Sequence, residues 1–128
     1  MVNVSIVEND LNTRKKIKNL LKHFLLNCDI DRYINIDEYS FVAADEINWG
    51  EYCFVDTDFP CVEDVVGKVK NKNKYAKIVF VGECDNTKNI DFAIRGFSLG
   101  ISGYILKTYT DAEIMKLFAY VFKPFSYT

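Results

Sequence analysis

The sequence predicts an α/β protein with a doubly wound parallel sheet, and two observations carry this prediction. Short apolar segments alternate about five times with longer segments of helical spacing along the 128 residues. The apolar segments are also nearly continuous, as expected for parallel strands that are covered on both faces. Such alternation implies right-handed crossovers between strands. Because the length suits one core, we predict a single domain over residues 1–128.

Five segments are predicted as strands because β-branched and aromatic residues dominate them. The four clearest are VNVSIV (2–7), YCFV (52–55), KIVFV (77–81) and GYIL (103–106). The segment RYINI (32–36) is a weaker candidate for the remaining strand.

Helices are predicted between and after these strands. LNTRKKIKNLLKHFLLN (11–27) repeats apolar residues at i, i+3 and i+4, with lysines on the other side. NIDFAIRGFSLG (89–100) has an apolar face and ends at a glycine, and TDAE (110–113) is a capping box that opens a last helix. Two less regular segments, at about 38–46 and 62–70, complete the set.

In a sheet of this kind, ligands bind beyond the carboxyl ends of the strands. The residues at those ends are Glu8, Asn9 and Asp10, then Asp56 to Pro60, then Gly82 and Glu83, and finally Lys107 and Thr108. Converging carboxylates repel one another unless a cation lies among them, and oxygen ligands suit Mg²⁺. A carboxylate beside the metal can attack a phosphoryl group while a lysine offsets the phosphate charge. This chemistry assigns Asp56 as the nucleophile and Lys107 as the counter-charge.

Three motifs together resemble the receiver domains of two-component response regulators, over essentially the whole chain. IVEND ends the first strand and Arg14 follows it. VDTDFP places Asp56 four residues before a proline, as for the phosphoacceptor aspartate of that family, and GYILK carries an aromatic residue and a lysine. The resemblance implies a flavodoxin-like, five-stranded (βα)5 fold and phosphorylation of Asp56 by a histidine kinase or phosphotransfer protein.

The resemblance also assigns roles to residues around Asp56. Glu8 and Asn9 stand at the acidic pair that holds Mg²⁺, and the backbone carbonyl of Asp58 is a further metal ligand. Lys107 matches the lysine that contacts the phosphoryl group. Tyr104 matches the aromatic residue that reports phosphorylation to a surface where an effector domain or a second receiver binds. The implied domain is a phosphoacceptor switch and not an enzyme.

Several positions depart from the family pattern. Asn9 replaces an acid, which predicts weaker Mg²⁺ binding that Asp10 would compensate in part. Gly82 stands where the family has a threonine or serine, so the hydroxyl that binds the phosphoryl oxygen is missing. Glu83 replaces a small residue and is expected to repel or obstruct a phosphate. Thr108 replaces the proline after the lysine, so no cis peptide is expected there.

These departures keep a second reading open, a pseudo-receiver that binds a partner without depending on phosphate. Asp56 and Lys107 oppose that reading. A remoter alternative is a haloacid dehalogenase-like phosphatase that uses Asp56 and Asp58, but that family carries its aspartate pair after the first strand. A flavin site is disfavoured because VENDLNTR lacks a small, hydroxyl-rich loop for a phosphate.

Composition narrows the remaining classes of function. Apolar residues make up 49% and charged residues 27%, which is typical of a folded protein. A net charge of −2 with mixed signs predicts no binding to nucleic acid or a membrane surface. The N-terminus has neither a signal peptide nor a membrane span, so we expect a cytoplasmic protein. Residues 122–128 are consistent with either the start of a linker or a C-terminal tail.

Overall fold

The computed structural model describes residues 2–28, 34–83 and 87–123, and in these ranges five strands alternate with four helices. The strands are β1 (Val2–Val7), β2 (Ile34–Tyr39), β3 (Tyr52–Asp56), β4 (Lys77–Gly82) and β5 (Gly103–Leu106). The helices are α1 (Leu11–Asn27), α2 (Val62–Lys72), α3 (Thr87–Leu99) and α4 (Asp111–Val121). All five predicted strands are confirmed, although β2 extends further than predicted and residues 32 and 33 of its predicted range lie outside the described residues. The predicted linker or tail lies mostly outside the described residues.

The five strands form one parallel sheet in the order β2-β1-β3-β4-β5. Helices α1 and α4 cover one face of the sheet, and α2 and α3 cover the other. The prediction of a doubly wound, flavodoxin-like sheet is therefore confirmed. The order reverses between β1 and β3, where Val7 pairs with Val55, so the crevice expected to bind a ligand lies beyond these two carboxyl ends.

The helix predicted at about 38–46 is wrong. Strand β2 runs on to Tyr39, and a 3-10 turn at Ala44–Glu46 is the only helical structure between β2 and β3. Beyond this turn, the side chain of Ser5 in β1 holds the backbone of the loop that leads to β3. The Ser5 hydroxyl accepts a hydrogen bond from the Gly50 N–H (2.9 Å) and donates one to the Asn48 carbonyl (3.1 Å).

Aromatic packing explains why this segment stays irregular. Phe41 and Trp49 both pack edge-on against Phe59, with ring centroids 5.3 and 6.3 Å apart. Phe59 is buried in the loop after β3. Phe41 and Trp49 thus reach the same ring from either side of the 3-10 turn, and these contacts hold the segment against the loop after β3. Burial of these rings stabilises the segment, whereas a short helix by itself is only marginally stable in water.

Helix α3 ends as predicted, but its apolar face is exposed. Gly100 adopts a φ of +104°, and the N–H of Ile101 donates to the Gly96 carbonyl (3.0 Å), which closes the helix. Ile90, Ile94 and Phe97 are 52%, 61% and 52% exposed. We call these three residues the α3 apolar face.

None of the helices in the described ranges has the length and apolar character needed to cross a membrane.

Candidate functional site

Lys107 lies between two buried carboxylates that come from different strands. Its Nζ is 2.8 Å from Asp56 Oδ2 and 3.2 Å from Glu8 Oε1. Asp56 ends β3 and is 3% exposed, and Glu8 follows β1 and is 1% exposed. The structure thus brings together the three charged residues that the sequence placed at the ends of separate strands.

Burial and hydrogen bonding separate the pKa values of the two carboxyl groups. Burial, assisted by the neighbouring Asp56, raises the pKa of Glu8 to about 7. Burial also acts to raise the pKa of Asp56, but hydrogen bonds from Glu8, Lys107 and the Asp58 N–H outweigh it and hold this pKa below its ordinary value. Burial acts to lower the pKa of Lys107, but Asp56 and Glu8 together raise it, so the ammonium group keeps its proton. At neutral pH, Asp56 is therefore an ionised carboxylate and Glu8 is partly protonated.

Backbone contacts hold the two carboxylates in position. The N–H of Asp58 donates to Asp56 Oδ1 (2.7 Å), and the N–H of Asp10 donates to Glu8 Oε1 (3.0 Å). Arg14 Nη1 donates to the Glu8 carbonyl (2.9 Å), which ties the start of α1 to the end of β1. The side chain of Asp58 is exposed, so only its backbone supports Asp56 directly.

Two of the polar residues predicted to bind a metal have other partners. Asn9 Oδ1 accepts a hydrogen bond from the Phe41 N–H (2.6 Å) and so anchors the irregular segment after β2. Asp10 caps α1, where its side chain accepts from the N–H and hydroxyl of Thr13. The roles of Asn9 and Asp10 as metal ligands stay predictions.

The donor atoms that remain fit a magnesium ion that keeps several water ligands. Glu8 Oε2 is buried, and no hydrogen-bond donor among the described residues contacts it. A proton shared with Asp56 or a bound cation would satisfy this oxygen. Mg²⁺ is commonly held by one or two carboxylates and water. Glu8 and Asp56 offer two such carboxylates, and the role of the Asp58 carbonyl as a ligand stays a prediction. The described residues contain no group of three or more His, Cys, Asp or Glu side chains suited to a metal.

The ring of Tyr104 covers Gly82 at the end of β4. A Cβ atom at residue 82 would overlap the Tyr104 hydroxyl oxygen and lie 2.8 Å from Cζ. The hydroxyl is hydrogen-bonded to Thr57, and the ring packs edge-on against Phe80 with centroids 6.4 Å apart. Thr57 was named among the residues at the end of the third strand, but no role in the site was predicted for it. Its position directly after Asp56, at a strand end, was the signal that could have identified it.

The two remaining departures also lie beside the site. Glu83 Oε1 is 3.5 Å from Lys107 Nζ, and its side chain is 65% exposed, so it pairs with the lysine from the solvent side. Thr108 is exposed, and the described backbone contains no cis peptide bond, as expected for the Lys107–Thr108 bond.

The chain has the fold of response regulator receiver domains. The receiver domain of AraT from Geobacillus stearothermophilus matches with a TM-score of 0.74 and 13% identity, covering 98% of this chain and 96% of that one. A CheY-like receiver domain protein from Methanospirillum hungatei matches with a TM-score of 0.67 and 12% identity, covering 99% and 98%. The BeF3-activated receiver domain of DrrB from Thermotoga maritima matches with a TM-score of 0.67 and 14% identity, covering 100% and 99%.

No protein-family model and no curated protein matches the sequence. Identities of 12–14% show a common fold only. The roles of individual residues therefore rest on the geometry of this site.

Proposed function

We propose that the chain is a phosphoacceptor receiver domain, phosphorylated on Asp56 by a histidine kinase or a phosphotransfer protein. The observation that carries this proposal is the buried Asp56 carboxylate with the Lys107 ammonium 2.8 Å away. A carboxylate oxygen attacks phosphorus, and the bond from phosphorus to the donor nitrogen breaks with its electron pair leaving on the donor imidazole. Lys107 offsets the charge of the phosphoryl oxygens. Glu8 and Asp56 would hold Mg²⁺, which would neutralise further phosphoryl charge.

The output of this proposed switch is a partner-binding surface next to Tyr104. A groove of about 520 Å³ runs between α3, β5 and α4 and is lined by Phe97, Tyr104, Leu106, Leu117 and Tyr120 among others. The α3 apolar face extends this surface. The negative charge that phosphorylation adds at Asp56 would change the binding of a partner through Tyr104. The partner would be either an effector domain or a second receiver. On this proposal the domain acts in the cytoplasm and turns over no substrate.

A phosphate-independent binding module is the second candidate function, and specific contacts favour it. Asn9 is committed to the Phe41 backbone, and Lys107 already pairs with Glu83 in addition to Glu8 and Asp56. These contacts leave fewer free ligand atoms for a metal and less free lysine charge for a phosphoryl group. Such a module would keep the fold and the partner surface without accepting phosphate.

Intact-mass measurement after incubation with acetyl phosphate and Mg²⁺ separates these candidates. We expect one added phosphoryl group in the wild type and none in Asp56→Asn or in a magnesium-free control. Asp45→Asn is the matched control, because the Asp45 side chain is 92% exposed and its loss should leave phosphorylation unchanged.

Two other results would contradict the proposal. No added mass in the folded wild type, either with acetyl phosphate or with a histidine kinase, would favour the phosphate-independent module. Continuous release of phosphate from a small phosphoester, lost in Asp56→Asn and Asp58→Asn, would indicate a phosphatase.

A further inference from the structure

We propose that the hydroxyl group of Tyr104 takes the place of the hydroxyl that residue 82 lacks and contacts the phosphoryl group on Asp56. Gly82 is the residue that makes this arrangement possible. The inference rests on the proposed function, since it names a further phosphoryl-contacting residue of the same site.

The Tyr104 ring occupies the space that a side chain at residue 82 would need. Any side chain at residue 82 would place its Cβ onto the Tyr104 hydroxyl oxygen and against the ring atom Cζ. A serine or threonine at this position would therefore push the ring away from the sheet. With glycine there, the ring lies inward against Phe80, and its hydroxyl fills the space that the side chain of residue 82 would occupy.

The position of this hydroxyl relative to Asp56 is the second argument. In the sheet, Asp56 pairs with Val81, so Gly82 lies one residue beyond that pair at the carboxyl edge. The Tyr104 hydroxyl above Gly82 is hydrogen-bonded to Thr57, the residue directly after Asp56. The hydroxyl is thus at the same edge of the sheet as the carboxylate that would carry the phosphate.

The chemistry of the hydroxyl suits this role. Burial raises the pKa of Tyr104, as do the charges of Asp56 and Asp58, although the hydrogen bond with Thr57 opposes them. The phenol therefore keeps its proton at neutral pH and can donate a hydrogen bond. A donor close to a developing anion is worth most where water is excluded.

Binding of beryllium fluoride with Mg²⁺, a mimic of the phosphoryl group, measures the contribution of the hydroxyl. We expect Tyr104→Phe to weaken binding about tenfold, the loss typical of one hydrogen bond to a charged group. Tyr75→Phe is the matched control, because Tyr75 is 78% exposed in the turn before β4 and this variant should bind as the wild type does.

A rescue experiment distinguishes a phosphoryl contact from a purely structural effect. Tyr104→Leu removes both the ring and the hydroxyl and should bind the mimic weakly. Adding Gly82→Ser to Tyr104→Leu puts a hydroxyl back at residue 82 in the space that the ring has left. We expect this double variant to recover most of the lost affinity.

Thermal unfolding tests the steric pairing without any phosphate. Gly82→Ser alone should lower the melting temperature by about 5 °C, because overpacking against the ring is destabilising. In the Tyr104→Leu background the same substitution should lower it by less than half as much. Gly67→Ser is the control, because a Cβ at residue 67 meets no atom within 4 Å.

The possible outcomes separate the inference from the proposed function. If Tyr104→Phe binds beryllium fluoride as tightly as the wild type does, the inference is overturned, and Asp56 remains the proposed phosphoacceptor. If Gly82→Ser lowers the melting temperature equally in the wild-type and Tyr104→Leu backgrounds, the steric pairing of residues 82 and 104 is overturned. A folded wild type that neither accepts phosphate nor binds beryllium fluoride would overturn the proposed function, and with it the phosphoryl contact.

Discussion

Glu8 shows at the scale of one residue how burial sets the pH dependence of this site. Its pKa rises from an ordinary 4.5 to about 7 in the folded protein. Between these values the folded state binds more protons than the unfolded state, so stability falls as the pH rises. The loss is on the order of 3 kcal/mol once the pH exceeds 7. Asp56 has the opposite effect on stability. Its pKa is lower in the folded protein, so its ionised carboxylate stabilises the fold at pH values above its ordinary pKa, and this stability is lost as the pH falls.

Replacing Glu8 with glutamine tests this sign directly. We expect Glu8→Gln, measured by urea unfolding in EDTA, to be more stable than the wild type by about 1 kcal/mol at pH 8 and to show no gain at pH 4.5. Glu38→Gln is the control with the opposite sign, because a hydrogen bond from Lys18 lowers the pKa of Glu38. That variant should lose stability at pH 8. The same stability difference for Glu8→Gln at both pH values would contradict the prediction.

The sequence predicted which charged residues form the site, but it did not predict the contacts of the residues around them. Glu8, Asp56 and Lys107 could be predicted to meet because strand ends converge in a parallel sheet whatever the loops do. The partner of Asn9 could not be predicted, since its bond to Phe41 depends on the path of the chain after β2. The position of the Tyr104 ring over Gly82 is likewise a packing result that no spacing encodes.

At the scale of elements, the irregular segment after β2 depends on a close backbone approach at Gly50. A Cβ at residue 50 would overlap the carbonyl of Asn3 in β1. We therefore expect Gly50→Ala to destabilise the fold by about 2 kcal/mol. Gly67→Ala, in the open middle of α2, should instead stabilise it by about 0.5 kcal/mol because alanine favours helix. Urea unfolding of both variants checks this, and equal effects would show that the approach to Asn3 is not tight.

Two elements show where pattern recognition fails. The segment at 38–46 has enough apolar residues for a helix, but they pack on the buried cluster that contains Phe59. In α3 the apolar periodicity is real, yet Gly96 faces the sheet and the apolar face points outward. Periodicity fixes which residues share a face of a helix. It does not fix which face of the helix meets the core.

At the scale of the whole molecule, the site exists only when the sheet is assembled. Glu8 follows β1, Asp56 ends β3 and Lys107 follows β5, so the three side chains meet only in the folded chain. Any ion that binds between Glu8 and Asp56 therefore binds the folded state alone. Binding of this kind stabilises the fold by mass action. Metal binding can thus be measured as global stability, without any phosphoryl donor.

We expect Mg²⁺ at ten times its dissociation constant to stabilise the wild type at pH 8 by about 1.4 kcal/mol, or roughly 5 °C in melting temperature. KCl at the same ionic strength is the control. Glu8→Gln and Asp56→Asn should lose most of this shift because each removes a carboxylate ligand. Asn9→Asp should increase it if residue 9 turns from Phe41 towards the ion, since a third acid then offsets the metal charge. A shift that persists in Glu8→Gln would place the ion elsewhere, and no shift in the wild type would remove Mg²⁺ from the proposed function.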